Sequence, residues 1–234
     1  MASAAMTTIV VISHNYGRFL RDAVVSVVQQ TKRAHILIID DASTDETPHV
    51  IEALESQDPA IAHQRLPRNI GLARVRNLAA AAARTDWVVY LDADDWLDPR
   101  FVERAEARLK VAPGVDVLTT DMTIVREHQR RRVVRSRVPL YWDELLARNT
   151  IVQTSLIRRS LVRQLGGYDE SLDFEDWDFW IRALQAGARI ARLPGPHVFR
   201  REHGQNKSKL CDERAAAAAV RRKHAATASA QHEK

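Results

Sequence analysis

The chain of 234 residues has little cysteine and no long apolar run. Its one cysteine, Cys211, excludes a disulfide bond within the chain and is typical of a protein in a reducing cytoplasm. No apolar stretch approaches the roughly 20 residues that a membrane-spanning helix needs. The first apolar stretch follows no basic residues and continues into a strand-like pattern, which disfavours a secretory signal. We therefore expect a cytoplasmic protein.

Several functional motifs are also missing. The chain has neither the Gly-x-Gly-x-x-Gly turn of dinucleotide-binding proteins nor the Gly-x-x-x-x-Gly-Lys phosphate loop. It has no clustered Cys and His ligands for zinc, and no zinc-finger, RNP or helix-turn-helix pattern. These absences disfavour a dinucleotide cofactor, a P-loop and a zinc centre, and we expect no nucleic-acid partner.

The net charge of +5 comes mostly from two basic segments, Arg126 to Arg137 and Arg221 to Lys223. One interpretation is a solvated charged hairpin and a basic tail. The other is a surface that attracts phosphates or anionic lipid, which would place the protein at the inner membrane face through Arg126 to Arg137. The sequence leaves both open.

Strand-like and helix-like segments alternate regularly over the first hundred residues, which predicts an α/β fold with a mostly parallel sheet flanked by helices. The predicted strands are 8–12, 35–39, 60–65 and 87–91. The predicted helices are 19–30, 47–56, 72–84 and 99–111, with Ser43 and Thr44 as capping candidates and Pro99 in a first turn.

After Pro113 and Gly114 the pattern changes to a smaller, antiparallel element. Its predicted strands are 115–125, 133–140, 190–193 and 198–201. Its predicted helices are 142–148, 158–165 and 174–186. The alanine-rich segment 211–234 is either a docked helix or partly disordered.

Three carboxylates follow the apolar strand that ends at Leu91: Asp92, Asp94 and Asp95. Like charges this close repel one another and resist burial, so the cluster favours a hard divalent cation such as Mn²⁺ or Mg²⁺. The alternative is a solvated acidic loop that caps the next helix.

Polar residues also follow the first two strands, where Ser13 and Asn15 end the first and Asp40 and Asp41 end the second. In an open parallel sheet, ligands bind at the carboxyl ends of the strands. Carboxylates there accept hydrogen bonds from a base and a ribose, and a metal ion bridges a diphosphate. The pattern therefore predicts a nucleotide site.

These motifs, taken in order, resemble those of a family 2 glycosyltransferase with the GT-A (Rossmann-like) fold, from about Thr8 to Ser208. They are Ser13-His14-Asn15, Asp40-Asp41-Ala42-Ser43-Thr44-Asp45, Asn69-Ile70-Gly71-Leu72-Ala73-Arg74, Asp92-Ala93-Asp94-Asp95, Gly166-Gly167-Tyr168-Asp169-Glu170 and Glu175-Asp176-Trp177, followed by Arg200-Arg201 with His203. The resemblance implies that residues 1–112 bind a nucleotide-diphosphate sugar, with a UDP-sugar as the default donor. It implies that residues 113–210 bind the acceptor and supply the catalytic base.

The resemblance assigns base recognition to Asp40, the nucleotide pocket to Ser13 and Asn15, and support of the strand end to Asp41. Two further donor-binding candidates, Asn69 and Arg76, are less specific. Arg76 and its neighbour Arg74 are equally compatible with surface ion pairs on a helix.

In the acidic cluster, the resemblance assigns Asp92 to the ribose and Asp94 to the metal ion, Mn²⁺ or Mg²⁺. His203 would complete the metal shell or contact the diphosphate; a solvated histidine is the alternative. Asp95 is interpreted as a helix cap.

Asp176 is the implied general base of an inverting transfer, in which it takes the proton of the acceptor hydroxyl. An acidic first turn that complements the helix dipole is the structural alternative. Trp180 is predicted to be core, and Trp177 is either core or a sugar-stacking residue. Departures from the family pattern at Ile12 and His14 leave the donor base open.

The resemblance therefore implies a metal-dependent glycosyltransferase that moves a single sugar to a hydroxyl of a saccharide, a lipid-linked intermediate or a small natural product. Single transfer is expected because the chain lacks the membrane segments of processive synthases. The alternatives are a sugar nucleotidyltransferase and a non-catalytic nucleotide-sugar-binding protein.

Overall fold

The computed structural model describes residues 5–126, 129–138, 141–204, 206 and 212–231. Nine strands occur in these ranges: β1 Thr7–Ser13, β2 His35–Asp40, β3 Ile61–Arg65, β4 Trp87–Asp92, β5 Trp96–Leu97, β6 Val117–Arg126, β7 Gln129–Val134, β8 Leu156–Arg158 and β9 Ile190–Glu202. Eight helices accompany them: α1 Gly17–Val28, α2 Thr47–Gln57, α3 Leu72–Ala82, α4 Phe101–Val111, α5 Trp142–Ala147, α6 Arg159–Gln164, α7 Glu175–Gln185 and α8 Glu213–Gln231.

The strands form one mixed sheet in the order β3-β2-β1-β4-β8-β6-β9-β5, with β7 beside β6. Strands β3, β2, β1 and β4 are parallel, and Val10 of β1 lies opposite Leu37 and Tyr90. β8 and β7 pair antiparallel with β6, while β9 pairs parallel with it. The α/β fold with a parallel half and a smaller antiparallel element is confirmed.

Helices cover both faces of the sheet, so β1 is buried along its whole length. A strand that is buried on both faces has no polar alternation, and residues 7–12 are accordingly all β-branched. One apolar layer contains Leu20, Leu54 and Phe101 from α1, α2 and α4. The other contains Val75 from α3 and Trp180 from α7. Trp180 is fully buried, which confirms its predicted core position.

Helix α2 begins at Thr47 as predicted, but the capping role of Ser43 and Thr44 and the helical position of Pro99 are wrong. Helix α2 takes its cap from Asp45, whose Oδ1 accepts bonds from the amide and the hydroxyl of Thr47 at 3.0 and 2.6 Å. Ser43 instead accepts a bond from the amide of Asn15. Pro99 precedes α4, which begins at Phe101. In α2 the two capping candidates found partners outside the helix, since Ser43 and Thr44 both bond to Asn15.

Differences in the second half concern short or interrupted strands. The predicted strands 190–193 and 198–201 form one strand, β9, whose register against β6 shifts on both sides of Asp121. Strands β5 and β8 were not predicted, because two or three residues carry no detectable period. The predicted strand 133–140 is observed at Gln129–Val134, and residues 139 and 140 lie outside the described residues.

The alanine-rich carboxyl-terminal segment forms α8, which packs on the body of the protein. Val220 is fully buried against the layer that contains Trp180, and Ala216 is also buried. The docked-helix alternative therefore applies to residues 213–231. Of the helices described, none combines the length and apolar character that crossing a bilayer requires.

Candidate active site

A cleft of about 1840 Å³ opens at the carboxyl ends of β1 and β4. This volume exceeds the roughly 300 to 1,000 Å³ of a typical ligand pocket and has room for two substrates. Six of the predicted donor and metal residues line it: Asn15, Asp41, Asn69, Arg76, Asp92 and Asp94. Asp176 lines the same cleft from the amino-terminal turn of α7.

Asp40 and Ser13 do not line this cleft. Asp40 is fully buried, accepts a bond from the Ser43 amide at 2.9 Å and has its Oδ2 3.4 Å from Arg65 Nε. It faces a separate pocket of about 260 Å³. Ser13 is equally buried and lies opposite Asp40 in the register of β1 and β2. Asp40 thus lies outside the lining that the other predicted donor residues share.

Asp41 points into the cleft because side chains of successive extended residues face opposite sides. Its two carboxylate oxygens accept bonds from the amides of Ile70 and Gly71 at 2.8 and 3.1 Å. Asn69 braces the same loop through a 3.1 Å bond from the Gly71 amide. Gly71 has φ +84°, a conformation that other residues rarely adopt. Asp41 therefore joins the second strand end to the loop before α3.

Asn15 holds the first strand end against the second. Its φ of 59° is left-handed, a conformation that asparagine tolerates better than most residues. Its Oδ1 accepts bonds from the amides of Thr44 and Asp45 at 2.7 and 3.3 Å. Asn15 thus both lines the cleft and fixes the loop that follows β2.

Asp92, Asp94 and Asp95 each offer a carboxylate oxygen, and these oxygens lie within 4.8 Å of one another. Burial and the charge of Asp92 raise the pKa of Asp94 despite the opposing bond from His203. Burial and the charges of Asp94 and Asp92 also raise the pKa of Asp95. The cluster is electrostatically strained as it stands, and a bound cation would relieve that strain.

His203 is next to Asp94, with Nε2 3.0 Å from Oδ2. Adjacent ligands of an octahedral ion with bonds of about 2.1 Å are separated by about 3 Å, so this pair fits a shared cation. The rings of Tyr16 and Phe19 lie 5.7 and 4.8 Å from the His203 ring and hold it in place. Asn206 donates to the same Asp94 oxygen at 2.9 Å. Sequence reasoning missed Asn206 because it belongs to no motif.

Asp95 is not a helix cap. Its Oδ1 accepts a 3.0 Å bond from the Arg201 amide, and α4 begins only at Phe101. The Arg201 side chain also donates to the Asp94 carbonyl at 3.2 Å. Asp95 therefore ties the acidic loop to β9, which brings His203 to the site.

Arg76 makes a buried ion pair with Glu175, with Nη1 2.5 Å from Oε1. Its Nη2 lies 3.8 Å from Asp92. Burial alone would lower the pKa of Arg76, but Glu175 and Asp92 outweigh burial and raise it. Arg74, in contrast, forms an exposed pair with Glu170 at 2.7 Å. The surface-pair interpretation is thus right for Arg74, whereas Arg76 links the acidic cluster to α7 from inside.

Asp176 is half-buried at the start of α7, next to Glu175 and with Asp178 in the same turn. Its Oδ2 accepts a 2.9 Å bond from Asn149 Nδ2, and its Oδ1 accepts a 2.8 Å bond from the Trp177 amide. The two bonds orient the carboxylate in the cleft. Asn149 lies 27 positions away and carries no sequence signal of its own.

Trp177 is almost fully buried, and its indole nitrogen donates to the Leu145 carbonyl at 2.6 Å. The guanidinium of Arg221 on α8 lies 5.3 Å from the Trp177 ring centre. Trp177 is therefore mainly a packing residue that joins α5, α7 and α8 beneath Asp176.

Residues 8–166 match the sequence profile described as Glycosyl transferase family 2. The chain belongs to this family. It is 30% identical over 203 residues to the succinoglycan biosynthesis protein ExoO of Rhizobium meliloti, covering 80% of this chain and 58% of ExoO. The chain spans about 60% of the length of the curated relatives first matched.

Solved structures of other glycosyltransferases share the GT-A fold. S. aureus TarS in complex with UDP-GlcNAc superposes with a TM-score of 0.74 at 22% identity, over 86% of this chain and 60% of TarS. The mannosyltransferase PcManGT from Pyrobaculum calidifontis, in complex with GDP-Man and Mn²⁺, gives 0.66 at 17% identity, over 88% and 59%. At these identities the likeness establishes the fold, and the substrates belong to those proteins.

Proposed function

We propose that this protein is a metal-dependent, inverting glycosyltransferase that moves a single sugar from a nucleotide-diphosphate sugar to an acceptor hydroxyl. The observation that carries the proposal is that one cleft contains both the acidic cluster of Asp92 to Asp95 and the oriented carboxylate of Asp176. A UDP-sugar is the default donor. The nucleotide sugars bound by TarS and PcManGT support this donor class.

Donor binding is proposed for the end of the cleft formed by β1, β2 and β4. Asp92 is partly exposed, and its carboxylate would accept a hydrogen bond from a ribose hydroxyl. Asp41 is a better candidate than Asp40 for recognition of the base, because Asp41 faces the cleft. Asn15 and Asn69 shape the same end through the loop bonds they make.

Asp94 and His203 would hold the metal ion, Mn²⁺ or Mg²⁺. When bound, the ion supplies Lewis-acid stabilisation of the charge that grows on the departing diphosphate. The oxygen-rich site suits a hard cation, and the Mn²⁺ in PcManGT supports the choice.

Asp176 acts as the general base. Its carboxylate accepts the acceptor's hydroxyl proton while the acceptor oxygen forms a bond to the anomeric carbon. The bond between that carbon and the nucleotide diphosphate breaks on the opposite face, so the anomeric configuration inverts. Asn149 and the Trp177 amide keep the carboxylate aimed into the cleft during this step.

The acceptor hydroxyl is proposed to belong to a saccharide, a lipid-linked intermediate or a small natural product. A peripheral membrane contact through Arg126 to Arg137 is a separate proposal. Sedimentation with anionic and neutral vesicles tests it: charge reversal across the run from Arg126 to Arg137 should abolish binding to the anionic vesicles. Equal sedimentation of wild type and variant would contradict the contact.

The donor reaction can be tested without the acceptor, because glycosyltransferases with bound donor transfer slowly to water. Release of nucleotide diphosphate from a panel of UDP- and GDP-sugars should occur with Mn²⁺ and stop with a chelator. The first sugar anomer seen by NMR should have the inverted configuration. A retained anomer, or metal-independent release, would contradict the proposal.

A further inference from the structure

Arginines gather on the wall of the cleft that β7, α5 and α8 supply. They include Arg132, Arg135, Arg148 and Arg221. The described arginine side chains of the basic run therefore differ in placement: Arg126 pairs outside the cleft with Glu202, whereas Arg132 and Arg135 face its interior. This surface is concave, so it fits a ligand inside the cleft better than a flat lipid surface.

Two of these arginines are linked to the residues that surround Asp176. Arg148 immediately precedes Asn149, whose side chain holds the Asp176 carboxylate. Arg221 donates from Nη2 to the carbonyl of Ala147 at 2.7 Å and stacks on the Trp177 ring. Arg221 is thus bonded to the segment 147–149, which contains Arg148 and also supplies Asn149.

The positive charge on this wall is only partly neutralised. Arg137 pairs with Glu144 at 3.1 Å, and Arg192 pairs with Asp121. Across the parts of the chain that the structure describes, Arg132, Arg135 and Arg148 have no carboxylate partner. The bonds of Arg221 go to a neutral carbonyl and a ring.

Like charges that converge on a concave wall concentrate a positive potential inside the cleft. Guanidinium groups match the oxygens of phosphate in a bidentate geometry and are weakly hydrated, so they favour phosphate over most other anions. The donor diphosphate already has a proposed site at Asp94 and His203. The anion for the arginine wall must therefore come from the other substrate.

We propose that the acceptor carries a phosphate-type anion, as a phosphomonoester, phosphodiester or diphosphate, beside the hydroxyl that receives the sugar. Arg148 and Arg221 bind that anion and place the hydroxyl at Asp176. This inference rests on the proposed function, since it names the acceptor class of the same site. The shared chemistry is the phosphoryl group, whether a lipid or a soluble saccharide bears it.

Binding calorimetry tests the inference with the donor site filled by saturating UDP and Mg²⁺. The soluble probe is glycerol 3-phosphate, with glycerol as its neutral counterpart. The lipid probe is farnesyl diphosphate, with farnesol as its counterpart. Wild type should bind at least one phosphorylated probe about tenfold or more tightly than its neutral counterpart. The probe that is preferred distinguishes the soluble source from the lipid source.

The double variant Arg148→Gln/Arg221→Gln should lose about tenfold or more in affinity for that phosphorylated probe. The matched control is Arg84→Gln, an exposed arginine outside the cleft lining, which should leave the affinity unchanged. UDP affinity reports folding in every variant. Should the double variant lose UDP binding, Arg148→Gln alone gives the same comparison, because its exposed side chain makes no described bond.

Equal affinity for phosphorylated and neutral probes, or an unchanged affinity in the variants, would overturn the inference. Binding to phosphatidylglycerol vesicles is measured alongside. If the variants lose affinity for these vesicles but not for the phosphorylated probes, the arginines bind a membrane surface and the inference is overturned. Failure of the proposed function is distinguishable: wild type would then bind no nucleotide diphosphate. The same probes, measured without UDP, would still show whether Arg148 and Arg221 bind phosphate.

Discussion

The two halves of the cleft are built differently. The proposed donor half consists of parallel strand ends. Hydrogen bonds such as those from the Ile70 and Gly71 amides to Asp41 hold its loops. The proposed acceptor half is assembled from β7, α5, α7 and α8, which are distant in sequence, and one side chain, Asn149, holds the proposed base Asp176. The first half contains the acidic cluster, whereas the second combines the Asp176 carboxylate with several arginines. The difference suggests that binding the leaving group and activating the acceptor are separable tasks.

Asp176→Asn tests whether the two tasks are separable, and it has the largest expected effect. We expect kcat for sugar transfer to fall by about 100- to 10,000-fold, because the amide cannot accept the hydroxyl proton. UDP affinity should stay within twofold, since Asp176 belongs to the acceptor half. The measurements are steady-state transfer rates and UDP calorimetry.

The control for this variant is Asp173→Asn, which removes an exposed carboxylate three positions earlier in the same cleft lining. Its kcat should remain within a few-fold of wild type. A similar loss in both variants would mean that net charge, and not a specific base, governs the rate.

Arg76→Met tests the internal link between the halves. Removing the guanidinium takes away the ion pair between Arg76 and the buried Glu175 carboxylate, so the free energy of unfolding should fall by about 3 to 5 kcal/mol. Arg74, two positions earlier on α3, forms an exposed pair with Glu170, and Arg74→Met should cost about 1 kcal/mol or less. Urea unfolding of both variants measures the contrast, and equal losses would show that burial does not distinguish the two pairs.

Asp178 joins α8 to the acceptor half, and it should make the stability depend on pH. Burial alone would raise its pKa, but bonds from His224 and Lys223 and the charge of Arg182 lower the pKa to about 2. A lowered pKa stabilises the folded state above pH about 4, and this stabilisation is lost as the pH falls towards 2. The expected size is about 2 kcal/mol.

Urea unfolding between pH 5 and 2 measures this dependence. Asp178→Asn removes the titrating group. The loss of unfolding free energy between pH 5 and pH 2 should therefore be smaller by about 2 kcal/mol in this variant. His224 and Lys223 would lose their charged partner in this variant, so its stability at pH 5 should already be lower. An unchanged slope below pH 4 would contradict the assignment to Asp178.

The smallest expected effect separates two adjacent residues of the donor half. Asp41→Asn should weaken UDP binding about tenfold, because it removes a carboxylate from the cleft wall. Asp40→Asn should leave UDP affinity nearly unchanged and lower thermal stability, since Asp40 is buried beside Arg65. The reverse pattern in calorimetry would restore Asp40 as the base-recognising residue.

The parallel half of the fold was predictable because each central strand is an apolar run that ends in polar residues. The acidic cluster was visible as a compact motif at a strand end, whereas Asp176 was predicted from the family resemblance. The sequence did not show that Asp41 faces the cleft and Asp40 does not, because a shift of one position exchanges the two sides of a strand. Asn149 and Asn206 act through contacts that depend on how distant segments pack.

The most direct test of the account is calorimetric titration of UDP with and without Mn²⁺, on wild type and on Asp94→Asn. The account predicts that Mn²⁺ strengthens UDP binding to wild type at least tenfold and has little effect on the variant, because Asp94 is the proposed metal ligand. Binding of UDP that is unaffected by Mn²⁺ in wild type, or equally strengthened in the variant, would contradict it.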